Sequence, residues 1–151
     1  MITKAQIDQF FSQPAIALVG VSRNQKKFGY QVFKTMADKK KYTLYPVNPN
    51  TDTIDGQKCY RDIASLPADA QAIILLTKRD KTEEAVKQSV QKGIKNIWIQ
   101  QMGHTLESLR IAKESGANVI YGKCIMMFAE PVSGFHKFHR SIYKFFGRLP
   151  K

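Results

Sequence analysis

Short, almost wholly apolar runs alternate along the chain with amphipathic segments, and this alternation predicts βαβ units around a parallel sheet. Ala15-Ile16-Ala17-Leu18-Val19-Gly20-Val21 is apolar at every position, as a strand buried on both faces requires. Tyr42–Val47 predicts a second strand, stopped by Asn48-Pro49-Asn50. Gln71–Thr77 and Asn96-Ile97-Trp98-Ile99-Gln100 predict two more, and Asn118–Tyr121 the last core strand. Between them, Phe28–Lys40 places Val32, Phe33, Met36 and Ala37 at helical spacing. A helix is predicted from Asp80, as its cap, to about Lys92, ended by Gly93, and another over Leu106–Ser115, ended by Gly116. Thr3 with Gln6 three residues on has capping-box spacing and predicts a first helix over Lys4–Ser12. The middle is sparser: Lys58-Cys59-Tyr60 reads as a short extended piece and Asp62–Leu66 as one helical turn. The expected architecture is α/β, a single Rossmann-like doubly wound parallel sheet of about five strands with flanking helices. Residues 1–130 form the domain, and 131–151 a basic amphipathic C-terminal helical extension packed on or beside it.

A length of 151 residues suits one such domain, and an apolar content of 43% argues for a packed core rather than disorder. No apolar run approaches the roughly 20 residues that cross a bilayer. The first residues lack the apolar stretch and cleavage site of a signal peptide. Cys59 and Cys124 have no metal-like spacing, which predicts free thiols in a reducing, cytoplasmic setting. Charge adds more: the formal net charge is +12, which calls for an anionic partner or for a solvated, solubilising surface. Arg23 to Lys41 carries Arg23, Lys26, Lys27, Lys34 and Lys39–Lys41 against Asp38, and no acid follows Pro131.

Parallel α/β sheets bind ligands beyond the carboxyl ends of their strands, near the point where strand order reverses. The loop Gly20–Gly29 falls there. Gly20 lets backbone approach a ligand closely. Ser22 and the free amides of the following helix start suit phosphate oxygens, and Arg23, Lys26 and Lys27 add positive charge. The three-glycine dinucleotide fingerprint and the Walker A pattern are both missing. The second strand ends in Val47-Asn48-Pro49 with no carboxylate before Asp52, whereas NAD enzymes place an acid there for the ribose hydroxyls. An uncharged strand end flanked by lysines suits a phosphorylated ribose, as in coenzyme A or NADP.

At these residues the chain resembles the small stand-alone CoA-binding proteins, relatives of the amino-terminal domain of the succinyl-CoA synthetase α subunit. The matching pieces are Ile16–Ser22, Lys27-Phe28-Gly29, Tyr45-Pro46-Val47-Asn48-Pro49 with Ile54-x-Gly56, Ser65-Leu66-Pro67, Asn96–Gln100, Gly116 and Cys124-Ile125-Met126. The resemblance implies a site for coenzyme A or an acyl-CoA. Gly20, Val21 and Ser22, with Lys26, Phe28 and Gly29, would hold the pyrophosphate and its surroundings. Val47, Asn48 and Pro49 would line the adenosine side. Leu76, Thr77 and Lys78 would lie over the adenine or the pantetheine arm, and Gln100 or Gln101 would face the ligand from the next strand. Gly103 stands one residue farther from Trp98 than in the family's Trp-x-Gln-x-Gly, and the synthetase's phosphorylated histidine has no counterpart.

The expected function is therefore non-catalytic or regulatory binding of coenzyme A or an acyl-CoA. Two other readings stay open, an NADP-dependent or other nucleotide-using enzyme, and a nucleic-acid or membrane-surface adaptor. The latter rests on the tail, where Phe135, Phe138, Ile142, Phe145 and Phe146 share a helical face beside Lys137, Arg140, Lys144 and Arg148. His104, His136 and His139 form no ligand set with other residues, and no nucleophile–base–acid grouping stands out.

Overall fold

The structure, a computed structural model, describes residues 1–129. The chain runs α1 (Lys4–Phe11), β1 (Ala15–Val19), α2 (Phe28–Asp38), β2 (Thr43–Val47), β3 (Thr53–Ile54), β4 (Gln57–Lys58), β5 (Ala72–Leu75), α3 (Arg79–Gln91), β6 (Asn96–Gln100), α4 (Leu106–Glu114) and β7 (Asn118–Lys123), then a short 3₁₀ turn, Ile125–Met127. Five strands form one parallel sheet in the order β2-β1-β5-β6-β7. The order reverses between β1 and β5, so their carboxyl ends flank the switch point.

Side-chain alternation along the strands builds two cores. Ile16, Leu18, Ile74, Trp98 and Ile120 face α1 and α2, while Ala17, Ile73, Leu75, Ile97 and Ile99 face α3 and α4. Because both faces are covered, the strands lack polar alternation, as their sequences predict. Trp98 is the largest wholly buried side chain. It packs against Phe10, Phe11 and Phe128 at ring separations of 5.4, 5.8 and 5.8 Å. Its indole N–H donates to the Lys123 carbonyl at 3.2 Å, which meets the need of a buried polar atom. That carbonyl is presented by an irregularity in the β6–β7 pairing, where Gly122 has φ +65°.

Several predicted boundaries move. β1 stops at Val19, because Gly20 takes φ +93° and ends the ladder. Asp80 lies within the first turn of α3 rather than capping it; Lys78 is the cap residue and makes no side-chain cap bond. Thr105 caps α4 reciprocally with Ser108, and Thr3 caps α1 with Gln6 as expected. Asp62–Leu66 is not helical. Asp62 Oδ1 accepts from Ser65 N at 2.8 Å and Leu66 N donates to Ile63 O at 3.2 Å, which closes a turn without helical repetition. The extended piece before Tyr60 is one arm of a hairpin with β3, turned at Asp55-Gly56, both at positive φ. This hairpin and Tyr60 cover the β2 edge, with Gln57 donating to the Leu44 carbonyl and Tyr60 N to Pro46 O at 2.8 Å. The predicted basic helix of the tail lies outside the described residues.

Candidate functional site

Every β-to-α connection of this sheet lies on one rim, and the loops after β1, β2 and β5 meet there. Gly20 N donates to Val47 O at 3.1 Å, and Leu76 N to Val19 O at 2.9 Å, so three strand ends are tied across the switch point. A Cβ on Gly20 would lie 2.8 Å from the Leu76 carbonyl oxygen. A Cβ on Gly29 would fall far inside the 3.0 Å limit of real contacts, against the Gly20 carbonyl oxygen. Both glycines are thus required by close backbone approach, and Gly20 also by its φ of +93°. The absent side chains leave backbone facing the rim at the start of α2. That helix begins at Phe28 with Lys27 as a cap residue that makes no side-chain bond and with no acid in its first turn. Its amino end therefore keeps its positive partial charge and unbonded donors available to an anion.

The rest of the β1–α2 loop is held by its own side chains. Ser22 Oγ accepts from Asn24 N at 3.0 Å, Asn24 Oδ1 from Lys26 N at 3.0 Å, and Asn24 O from Lys27 N at 3.0 Å. Asn24, which the sequence reading does not single out, organises this loop; the Ser22-x-Asn24-x-Lys26 spacing is the signal that locates this pair of turns. Ser22 Oγ retains its proton to donate. Arg23, Lys26, Lys27 and Phe28 are exposed.

Val21 and Val47 are core residues at 0% and 3% exposure, so only their backbone reaches the rim. The Asn48 side chain is committed: Nδ2 donates to Val21 O at 2.6 Å, and Oδ1 accepts from Asn50 N at 2.8 Å. It joins the β1 and β2 loops. Pro49 is exposed beside it. Leu76 and Thr77 are half-buried at the end of β5, and Thr77 Oγ1 lies 3.0 Å from Thr82 Oγ1. Lys78 is exposed. The two glutamines differ in setting: Gln100 Oε1 accepts from Ile125 N at 3.1 Å and fastens the 3₁₀ turn, whereas Gln101 is exposed. Gly103 brings this loop toward β5, since a Cβ there would lie 3.1 Å from Gln100 O and 3.4 Å from Thr77 O.

The basic stretch of the sequence divides. Arg23, Lys26 and Lys27 precede α2 on the rim, but Lys39–Lys41 follow it at the opposite end of an 11-residue helix, about 16 Å away at 1.5 Å per residue. Lys34 pairs with Asp38 at 2.9 Å. Positive charge on the rim is replenished from α3, by Lys78, Arg79 and Lys81 against Asp80. Both cysteines are free thiols. Burial pushes the Cys59 thiol up from its ordinary pKa, which keeps it protonated and unreactive. Among the described residues no three histidine, cysteine or acidic side chains are grouped to hold a metal, and no helix is long and apolar enough to cross a membrane.

The family model of the CoA binding domain matches residues 14–130. The II subunit alpha of an ADP-forming acetate–CoA ligase from Pyrococcus furiosus is 26% identical over 129 residues, covering 79% of this chain but 28% of the subunit. The chain therefore spans between a quarter and a third of that relative's length. Among solved structures, a conserved hypothetical protein from Pyrococcus furiosus is 35% identical at a TM-score of 0.70, with 74% of this chain and 95% of that one covered. A hypothetical protein from Pyrococcus horikoshii is 30% identical at a TM-score of 0.80, with 88% and 94% covered. A match over most of the described domain, on a sheet whose switch point is lined by glycine and cations, makes this chain a member of the CoA-binding domain family.

Proposed function

We propose that the protein binds coenzyme A or an acyl-CoA on the rim formed by the loops after β1, β2, β5 and β6, and that it does so as a binding module without its own ligase chemistry. The observation that carries this reading is the glycine contact at the switch point. Gly20 and Gly29 let the amino end of α2 and the ends of β1 and β5 come together without side chains, beside Arg23, Lys26, Lys27 and Lys78. A pyrophosphate fits backbone donors, helix-end charge and cations in that arrangement. In this reading the Gly20–Ser22 backbone, Ser22 Oγ and Lys26 hold the phosphates, and Pro49 and the Val47–Asn48 backbone line the adenosine. Leu76, Thr77, Lys78 and Gln101 follow the pantetheine arm. Asn48 and Gln100 act as positioning residues, because their side chains are already engaged within the protein.

The absence of a carboxylate at Val47-Asn48-Pro49 supports a ligand with a phosphorylated ribose. The Pyrococcus relative is named as an acetate–CoA ligase subunit, and this chain aligns with 28% of it. Calorimetric titration with coenzyme A tests the reading. Saturable one-to-one heat is expected, and no heat at high protein concentration refutes it. Incubation with acetyl-CoA, ADP and phosphate is expected to give no ATP; turnover would refute the non-catalytic part alone.

A further inference from the structure

We infer that the ligand is an acyl-CoA with an apolar acyl chain, received on the rim by Met102 and Leu106; this rests on the reading given under Proposed function. Among the described residues the exposed large apolar side chains are Met1, Phe28, Met102 and Leu106, and the last three all stand on the carboxyl rim. Met102 is 80% exposed and Leu106 87%. A single exposed apolar residue is ordinary. Two features set the loop that carries Met102 apart. Met102 takes φ +69°, a conformation that costs a non-glycine residue free energy, so the loop is held under strain while it presents a thioether to water. The next residue, Gly103, brings the same loop against the Thr77 carbonyl, with 3.4 Å left for a Cβ. Gly103 thus sets the loop that carries Met102 beside the end of β5, where the pantetheine arm is assigned, and Leu106 follows in the first turn of α4.

The direction of the ligand follows from strand order. With adenosine at the end of β2 and pyrophosphate at the end of β1, the remaining arm leaves β2 behind and crosses β5 toward β6. Its thiol end then arrives beside the loop after β6. Free coenzyme A ends there in a small thiol and gains nothing from two exposed apolar side chains. A medium-length saturated thioester lies across them and removes apolar surface of both partners from water. Each fully buried methylene strengthens binding about fourfold, so an octanoyl chain partly covered on an open rim gains at least about tenfold. An acetyl group gains little.

Calorimetry with coenzyme A, acetyl-CoA and octanoyl-CoA, the last kept below its micelle concentration, tests this on the full chain. Octanoyl-CoA is expected to bind at least tenfold more tightly than coenzyme A, with acetyl-CoA within about threefold of it. In a Met102→Asn, Leu106→Ser double variant the octanoyl advantage should fall below about threefold while coenzyme A affinity stays within twofold. Asparagine tolerates the left-handed backbone and both positions are exposed, so unchanged coenzyme A affinity also reports an intact fold. Octanoyl-CoA binding within twofold of coenzyme A, or an advantage that survives in the double variant, overturns the inference while leaving coenzyme A binding in place. No heat with any of the three ligands overturns the site itself, and this inference with it.

Discussion

Three glycine-to-alanine substitutions separate the two reasons a glycine is needed at the switch point. Gly29→Ala tests close approach alone, since its added Cβ would press on the Gly20 carbonyl oxygen and its φ is not in the left-handed region. Alanine is the better helix former by up to about 1 kcal/mol, so propensity by itself predicts stabilisation. Moving the start of α2 away from backbone that cannot swing aside costs about 1–3 kcal/mol, as overpacking does, and outweighs that gain. Gly116→Ala tests conformation alone, with φ +73° and nothing within 4 Å of the new Cβ; roughly 1–2 kcal/mol is expected. Gly20→Ala combines φ +93° with a Cβ 2.8 Å from Leu76 O, and the two terms sum to about 3 kcal/mol. In a chain of this size that lowers Tm by roughly 10 °C. Thermal unfolding followed by circular dichroism ranks the three for stability, and titration with coenzyme A ranks them for function. Gly20→Ala and Gly29→Ala should lose at least about tenfold in affinity, or 1.4 kcal/mol, while Gly116→Ala stays within twofold. A Gly29→Ala protein as stable as the wild type with unchanged affinity would refute the close-approach argument.

Two further outcomes follow from the hydrogen bonds around the rim. Asn48→Asp removes the donor to the Val21 carbonyl and sets a carboxylate against it; a loss of about 1–3 kcal/mol in urea unfolding and weaker coenzyme A binding are expected, with Asn48→Ala less severe in binding. Tyr30 donates to Asp55 at 2.7 Å and so docks the hairpin tip on the first turn of α2; this bond to a carboxylate raises the tyrosine pKa above its ordinary value. The stabilisation is complete below the unfolded pKa near 10 and is lost as pH rises through the higher folded value, so amide exchange in the Asp55-Gly56 turn should quicken above pH 10 in the wild type and show no such step in Tyr30→Phe.

The sheet was legible in the sequence because burial on both faces leaves an unbroken apolar run, and the strand over Asn96–Gln100 coincides with β6 residue for residue. Helix ends were read well where a side chain closes the cap, as at Thr3, and poorly where backbone alone does, as at Lys78. Gly20 could be recognised as a turn, but its partners could not, because the approach of Leu76 arises only when β5 inserts beside β1, and that of Gly29 only when the start of α2 folds back onto the end of β1. The resemblance implies polar ligand contacts at Ser22, Lys26, Asn48 and Gln100 or Gln101. The structure divides them: Asn48 and Gln100 bond to Val21 and Ile125 and Ser22 accepts from Asn24 N, while Lys26 and Gln101 are exposed. For Asn48 and Gln100 that division depends on neighbours distant in sequence. The charge run from Arg23 to Lys41 misleads for a related reason, since a helix carries its two ends to opposite edges of the sheet.

In the proposed complex, coenzyme A lies across the carboxyl ends of β1 and β5. Amide chemical-shift mapping by NMR during a coenzyme A titration tests it most directly. The largest shifts are expected at Gly20–Gly29 and Leu76–Lys78, with smaller ones at Asn48–Asn50 and Gln101. Shifts concentrated instead around Lys39–Lys41 at the opposite edge, or none anywhere at saturating ligand, would contradict the account.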